Sequence, residues 1–235
     1  MKILALDTAT EGCSAALWVD GSVLEREVEA AARGHADLIL SLIDGLLNES
    51  ATKLAGLDAI AFGRGPGSFT GVRLAASVTQ GLAFGAEVPV VPISDLRAVA
   101  QRVLTRAPDE NAAPRHVLVC NDARMQEVYW ACFELGSDGL MMPVGFERVS
   151  KPADVRLPDE WKRALVAGAG RGFAAYTELR GNFVQCLTNI DDNVLPGARE
   201  IALLAVAEVR AGRTVPPDQA VPVYLRDDVA KPKVS

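Results

Sequence analysis

The chain has 235 residues, 49% of them hydrophobic, with a formal net charge of −6 and a pI near 5.1. That length holds one large domain or two small lobes, and the apolar share supports a substantial core. The acidic balance argues against a protein that grips nucleic acid unaided, which usually shows a basic balance; where RNA is involved, a partner is expected to supply most of the cationic surface.

Lys2 to Thr8 is an apolar run ending in Asp7-Thr8-Ala9-Thr10, and Cys13 to Val19 is a second. Asp20-Gly21 is a strong hairpin signal, with Ser22 to Glu29 as the returning strand. Leu38, Ile39, Leu42, Ile43, Leu46 and Leu47 form a single stripe that predicts a helix over His35–Ser50. Leu57 to Phe62 reads as a buried strand and leads into Gly63-Arg64-Gly65-Pro66-Gly67-Ser68-Phe69-Thr70-Gly71-Val72-Arg73. Four glycines in nine residues allow close backbone approach, while Pro66 fixes one φ, so this loop is shaped. Val72 to Phe84 reads as a helix capped by Ser68 or Thr70. On it Ser77, Gly81 and Gly85 make a smooth groove beside a ridge of Leu74, Val78 and Leu82. The loop fits a phosphate at a helix N-terminus and a plain tight connector equally well. It is not a P-loop, because no Gly-Lys-Ser/Thr follows.

Val88 to Ile93, with two prolines, is a strand expected near a sheet edge. Ser94-Asp95 starts a helix running to about Arg106, and residues 105–115 are the best linker. The pattern then restarts. His116–Cys120 and Val128–Leu135 are strands, Ser137-Asp138-Gly139 is a turn, and a strand returns from Leu140. Strand, terminal Asp, strand, Asp-Gly turn, strand is the order of residues 3–25 as well, with Asp7 and Asp122 in equivalent places. Two such units around a cleft are the layout of the two-lobed actin/Hsp70/sugar-kinase architecture, an α/β fold with a duplicated mixed sheet. The expected lobes are residues 1–107 and 108–212, with the tail 213–235 packing back on the first and fraying beyond Asp227. Further on, Leu165–Ala169 is a strand leading into the Gly168–Gly172 loop and a short helix to Leu179. Asn182–Thr188 is a strand, and Pro196–Ala211 is a helix with Gly212 at its end.

Asp7 and Asp122 could face one cleft as a vestigial phosphate site. Against this, Ala9 puts a Cβ where a phosphate would approach backbone, and both acids serve equally as strand-end caps. The histidines, His35 and His116, form no HxxH or HxxxH pair, so no metal site is expected. Ser68 lies in Gly-Pro-Gly-Ser-Phe rather than Gly-x-Ser-x-Gly, which excludes a nucleophile elbow. The four cysteines lack a CxxC pair and fit a reducing cytoplasm. Leu74–Ala86 is too interrupted to span a membrane, and the N-terminus reaches Asp7 too early for a signal peptide. An ATPase-like frame with depleted chemistry and two helices beside a shaped loop suggests a partner-binding subunit.

Four stretches resemble the TsaB (YeaZ) family. They are Ile3–Thr10, the Gly63–Arg73 loop, Asp122-Ala123-Arg124-Met125-Gln126-Glu127-Val128-Tyr129-Trp130, and Pro222-Val223-Tyr224-Leu225-Arg226. The resemblance implies the actin-like fold and a cytoplasmic, non-catalytic subunit without a cofactor. It would act in formation of N6-threonylcarbamoyladenosine (t6A) in tRNAs reading codons that begin with A. It further implies binding to TsaD, which transfers the threonylcarbamoyl group, docking of TsaE on that pair, and a homodimer when alone. Carried onto this chain, the partner surface falls on Leu38, Leu42, Leu74, Val78 and Gly81. Gly65, Gly67, Ser68, Thr70 and Gly71 form a structural loop open to a ligand role. A stand-alone nucleotide-binding ATPase or phosphotransferase is the alternative, on Asp7, Asp122 and Gly168–Gly172. A glycoprotease-like metallopeptidase is a further one, against which the missing histidine pair argues.

Overall fold

The computed structural model describes residues 1–29, 34–109 and 112–226. Residues 110–111 of the expected linker and 227–235 of the expected frayed tail lie outside the described residues. The first sheet contains β1 (Lys2–Asp7), β2 (Gly12–Val19), β3 (Ser22–Glu29), β4 (Ala59–Gly63) and β5 (Val90–Ile93), in the order β3-β2-β1-β4-β5. The second contains β6 (His116–Arg124), β7 (Glu127–Leu135), β8 (Met141–Ser150), β9 (Val166–Ala169) and β10 (Leu187–Asp191), in the order β10-β9-β6-β7-β8. β2 in the first sheet and β7 in the second are antiparallel to both neighbours, and the other pairs are parallel. The two lobes therefore repeat one topology, as the duplicated two-lobed α/β fold requires.

Helices α1 (His35–Glu49), α2 (Phe69–Ala86), α3 (Asp95–Thr105), α4 (Gly172–Ala175), α5 (Glu178–Asn182) and α6 (Ala198–Arg210) complete the fold. Strand β1 shows why the first sheet is covered on both sides. Leu4 and Leu6 face a core shared with Ile39 and Ile43 of α1 and Ala75 and Ala83 of α2. Ile3 and Ala5 face a second core with Ile201, Ala202 and Ala205 of α6. A strand buried on both faces reads as a continuous apolar run. None of the described helices is long and apolar enough to cross a membrane.

A division at 107/108 separates the sheets but not their helices. Helix α3 precedes that point, yet Leu96, Val99 and Ala100 pack on Val117, Val119 and Phe133 of the second sheet. Helix α6 follows it and covers the first sheet. The expected strand 182–188 is also corrected. The chain is helical to Asn182 and β10 forms only from Leu187, and the helix expected from Gly172 to Leu179 breaks into α4 and α5. Residues 215–223 contact the first lobe. Val215 bridges to Val90 of β5, Gln80 of α2 donates to the Ala220 carbonyl at 3.1 Å, and Val223 N–H donates to the Arg64 carbonyl at 2.8 Å.

Candidate functional site

A cavity of about 450 Å³ opens between the lobes. Its walls are Ala9–Glu11 after β1, Pro66–Phe69 of the glycine loop, Asn121–Met125 at the end of β6, and Val223–Arg226 of the tail. Three of the four stretches that carried the family resemblance thus meet the fourth at one cleft. Ion pairs tie the lobes together around it. Arg64 reaches both oxygens of Glu147 at 3.1 Å, and Arg171 pairs with Glu11 at 3.1 Å and Glu29 at 2.7 Å. Arg226 pairs with Glu127 and donates to the Ala123 carbonyl at 3.2 Å, so the tail spans from one lobe to the other. At the cavity rim Arg73 lies 3.4 Å over the Phe69 ring and donates to the Tyr224 hydroxyl at 2.8 Å.

The glycines of the loop are explained by backbone packed on backbone. A methyl at Gly67 would lie 2.6 Å from the Ala9 carbonyl oxygen, and one at Gly71 would overlap the Thr8 carbonyl oxygen. Thr8 Oγ1 donates to the Gly71 carbonyl at 2.7 Å, and Ser68 N–H donates to the Ala9 carbonyl at 2.7 Å. Ser68 caps α2, its hydroxyl accepting from Gly71 N–H at 3.4 Å, while Thr70 lies inside the helix. Gly65 has φ +100° and abuts the Val223 carbonyl. The second lobe repeats the device, since a methyl at Gly170 or Gly172 would lie 2.6 Å from the Cys120 carbonyl oxygen. In both lobes the loop after the fourth strand seals the end of the first strand.

Asp7 and Asp122 are topologically equivalent, each near the end of the first strand of its sheet, but their settings differ. Asp122 lines the cavity, where its carboxylate accepts from the Tyr176 hydroxyl at 3.0 Å and pairs with Arg124. Asp7 is fully buried and accepts from Ala9 N–H at 2.9 Å. Its neighbour is Asp95, also fully buried, whose carboxyl accepts from Gly65 N–H. Burial pushes the Asp7 carboxyl up to about 6, and burial together with the Asp7 charge holds Asp95 well above the ordinary range. Sequence reasoning took Asp95 as part of a helix cap. Only its position beside Gly65, thirty residues away in the chain, reveals the second role.

The tip between β6 and β7 was also not singled out for its geometry. Arg124 pairs with Glu127, leaving a two-residue tip, and Arg124, Met125 and Gln126 all have positive φ, 61°, 56° and 61°. Such tips ordinarily carry Asn-Gly, and a side chain held there costs on the order of 1–3 kcal/mol. The double replacement Met125→Asn with Gln126→Gly is expected to raise stability by about 1–2 kcal/mol in urea unfolding. An unchanged midpoint would show that the present tip carries no strain.

On the outer face of the first lobe, Leu38, Leu42 and Val78 are half-buried against the core, and Leu74 is half-buried as well. Gly81 and Gly85 are exposed, and a Cβ on either would meet nothing within 4 Å. Phe84 beside them is 60% exposed. The residues expected at a partner surface therefore divide, with Leu38, Leu42 and Val78 serving the core in part and the small residues of α2 left bare. His35 lies in the first lobe and His116 in the second, packed at a tilt against Trp161, so the two do not meet.

Comparison with known proteins shows the family to which the chain belongs. The family model described as "TsaD: tRNA N6-adenosine threonylcarbamoyltransferase" matches residues 28–234. The tRNA threonylcarbamoyladenosine biosynthesis protein TsaB of Escherichia coli is 40% identical across 100% of this chain and 98% of its own length. The chain belongs to the TsaB family. It also falls within the wider family that the model describes. The Haemophilus influenzae TsaB is 37% identical over 100% of this chain and 97% of its own length. A Pseudomonas aeruginosa crystal structure, described as similar to the peptidase YEAZ, superposes with a TM-score of 0.87 at 41% identity, covering 96% of this chain and 99% of that one.

Proposed function

We propose that this chain is a cytoplasmic, non-catalytic subunit of the machinery that forms t6A in tRNA, binding and supporting a TsaD-type transferase. The observation that carries the reading is end-to-end kinship, at 40% identity, with a protein named for t6A biosynthesis. The match to a TsaD family model is consistent with two related subunits descended from one fold and working together. The first-strand loop supports a non-catalytic role. Its Thr8 hydroxyl and Ala9 N–H already donate within the protein, so neither is free to cradle a phosphate.

The bare face of α2 is the surface assigned to TsaD, with TsaE docking on the resulting pair and the same face serving a homodimer when the partner is absent. Val78→Asp would disturb the core and the surface together, so Gly81 is the cleaner probe. Gly81→Glu is expected to leave folding unharmed or improved by about 0.5 kcal/mol, because helix-interior glycine is unfavourable. The same change is expected to weaken association with TsaD at least tenfold, about 1.4 kcal/mol, by placing a charge in an apolar contact. Calorimetric titration against TsaD reads this, and undiminished affinity removes α2 from the interface. The function itself is tested by reconstitution with TsaD and TsaE: tRNA modified at the same rate without this chain would overturn it.

A further inference from the structure

We propose that Asp95 is a positioning residue that shares one proton with Asp7 at neutral pH, and that this shared proton latches the glycine loop to the end of β1 and the start of α3. Both carboxyls are 0% exposed, and among the described residues no cation pairs with either. They crowd the same glycine. A methyl at Gly63 would lie 2.6 Å from Asp7 Oδ1 and would overlap Asp95 Oδ1. Asp7 Oδ1 accepts from Ala9 N–H and Asp95 Oδ2 accepts from Gly65 N–H, which leaves Asp7 Oδ2 and Asp95 Oδ1 without a donor.

Two carboxylates in one dry site cannot both ionise at ordinary cost. One proton resolves both deficits, because a neutral Asp95 carboxyl donates to the Asp7 carboxylate while its other oxygen still accepts from Gly65. The surrounding charges do not supply a substitute. Glu27 on β3 adds repulsion to Asp7, and the thiol of Cys13 on β2 lies near it. Arg64 opposes the rise at Asp95 through its charge, but its guanidinium pairs with Glu147 on β8 rather than with either aspartate. Asp95 N–H donates to the Gly65 carbonyl at 3.1 Å and Arg64 N–H to the Ile93 carbonyl at 2.8 Å. The carboxyl pair thus completes a seam of backbone bonds that sets the wall of the interlobe cavity and the origin of α2.

The sign of the pH dependence follows. Groups whose folded value is raised hold their protons more tightly in the folded chain, so their contribution is present below the unfolded carboxylate range and is lost as pH rises through the folded values. Above neutrality the second proton leaves, two charges face each other, and the seam weakens.

Carbon-13 NMR of the aspartate carboxyls in the whole chain reads the proton directly. One aspartate carboxyl is expected to stay protonated at pH 7 and to be missing from the spectrum of Asp95→Asn. All aspartates ionised by pH 5 would overturn the proposal without recourse to any variant. Asparagine can accept from Gly65 and donate to Asp7, so Asp95→Asn is expected to match the parent in urea midpoint at pH 5 and to exceed it at pH 9. A deficit that is the same at both pH values would mean that Asp95 is merely structural, and would reject the shared proton. Exchange of the Gly65 amide at pH 6 is expected to quicken about tenfold in Asp95→Ala and to stay slow in Asp95→Asn; equal protection in the two variants would reject the latch.

Discussion

Gly71→Ala is expected to destabilise the protein by about 3 kcal/mol or more, read as a lowered urea midpoint. The added methyl would overlap the Thr8 carbonyl oxygen and sit 3.0 Å from the Thr8 carbonyl carbon and 3.2 Å from the Ala9 Cα. All three are backbone atoms, so no side chain can rotate aside. Either α2 must lift from the sheet or the end of β1 must shift, and overpacking of that kind costs roughly 1–3 kcal/mol even where side chains yield. Lifting α2 also breaks the 2.7 Å bond from Thr8 Oγ1 to the Gly71 carbonyl. Gly81→Ala, ten residues later in the same helix, is the control. Nothing lies within 4 Å of its Cβ, so it should gain about 0.5–1 kcal/mol. Equal behaviour of the two variants would show that the first turn of α2 is not pinned as described.

The second large effect is expected at Arg102. Its guanidinium leaves α3 and joins three parts of the fold. It pairs with Glu27 on β3, donates to the Leu195 carbonyl at 3.2 Å, and lies 3.9 Å from Glu200 on α6. The Glu200 side chain is 3% exposed, and burial first of all raises its carboxyl above the ordinary value, with Arg102 opposing that rise. Arg102→Met keeps the apolar stem but strands a buried carboxylate, and breaking a buried pair in this way costs about 3–5 kcal/mol. With the cation gone, Glu200 binds its proton more tightly in the folded than in the unfolded chain. The deficit should therefore be largest at pH 8 and shrink toward pH 4, where the proton is already bound. Adding Glu200→Gln should recover much of the loss at pH 8. A deficit indifferent to pH and unrelieved by the second change would mean that Arg102 acts through packing alone.

These two residues differ in how visible they were. The glycine loop is legible because glycine density, a proline and a following apolar helix are local signals, and local signals are what a sequence prints. Its reason is less local. Gly67 and Gly71 are needed because Thr8 and Ala9, some sixty residues earlier, lie against them. Asp95 had a sufficient local explanation beside Ser94 at a helix start, and that explanation concealed its contact with Asp7. Arg102 carried no signal at all, since one arginine on an amphipathic helix reads as solvated until the neighbouring elements are in place.

The amino-acid order by itself determined the strands other than β10, the hairpins at Asp20-Gly21 and Asp138-Gly139, the apolar stripe of α1 and the repetition of one unit in two halves. Each follows from side-chain periodicity or turn chemistry within about a dozen residues. Tertiary structure alone decided that α3 covers the second sheet and α6 the first. An apolar stripe states that a helix face must be buried, but not against which sheet, and here the two lobes exchange their covers. The same limit applies to the stripe of α1 and α2. Leu38, Leu42 and Val78 announced a buried face, yet only their packing showed how much of it the core already uses, and only the structure shows that Gly81 and Gly85 beside it are exposed.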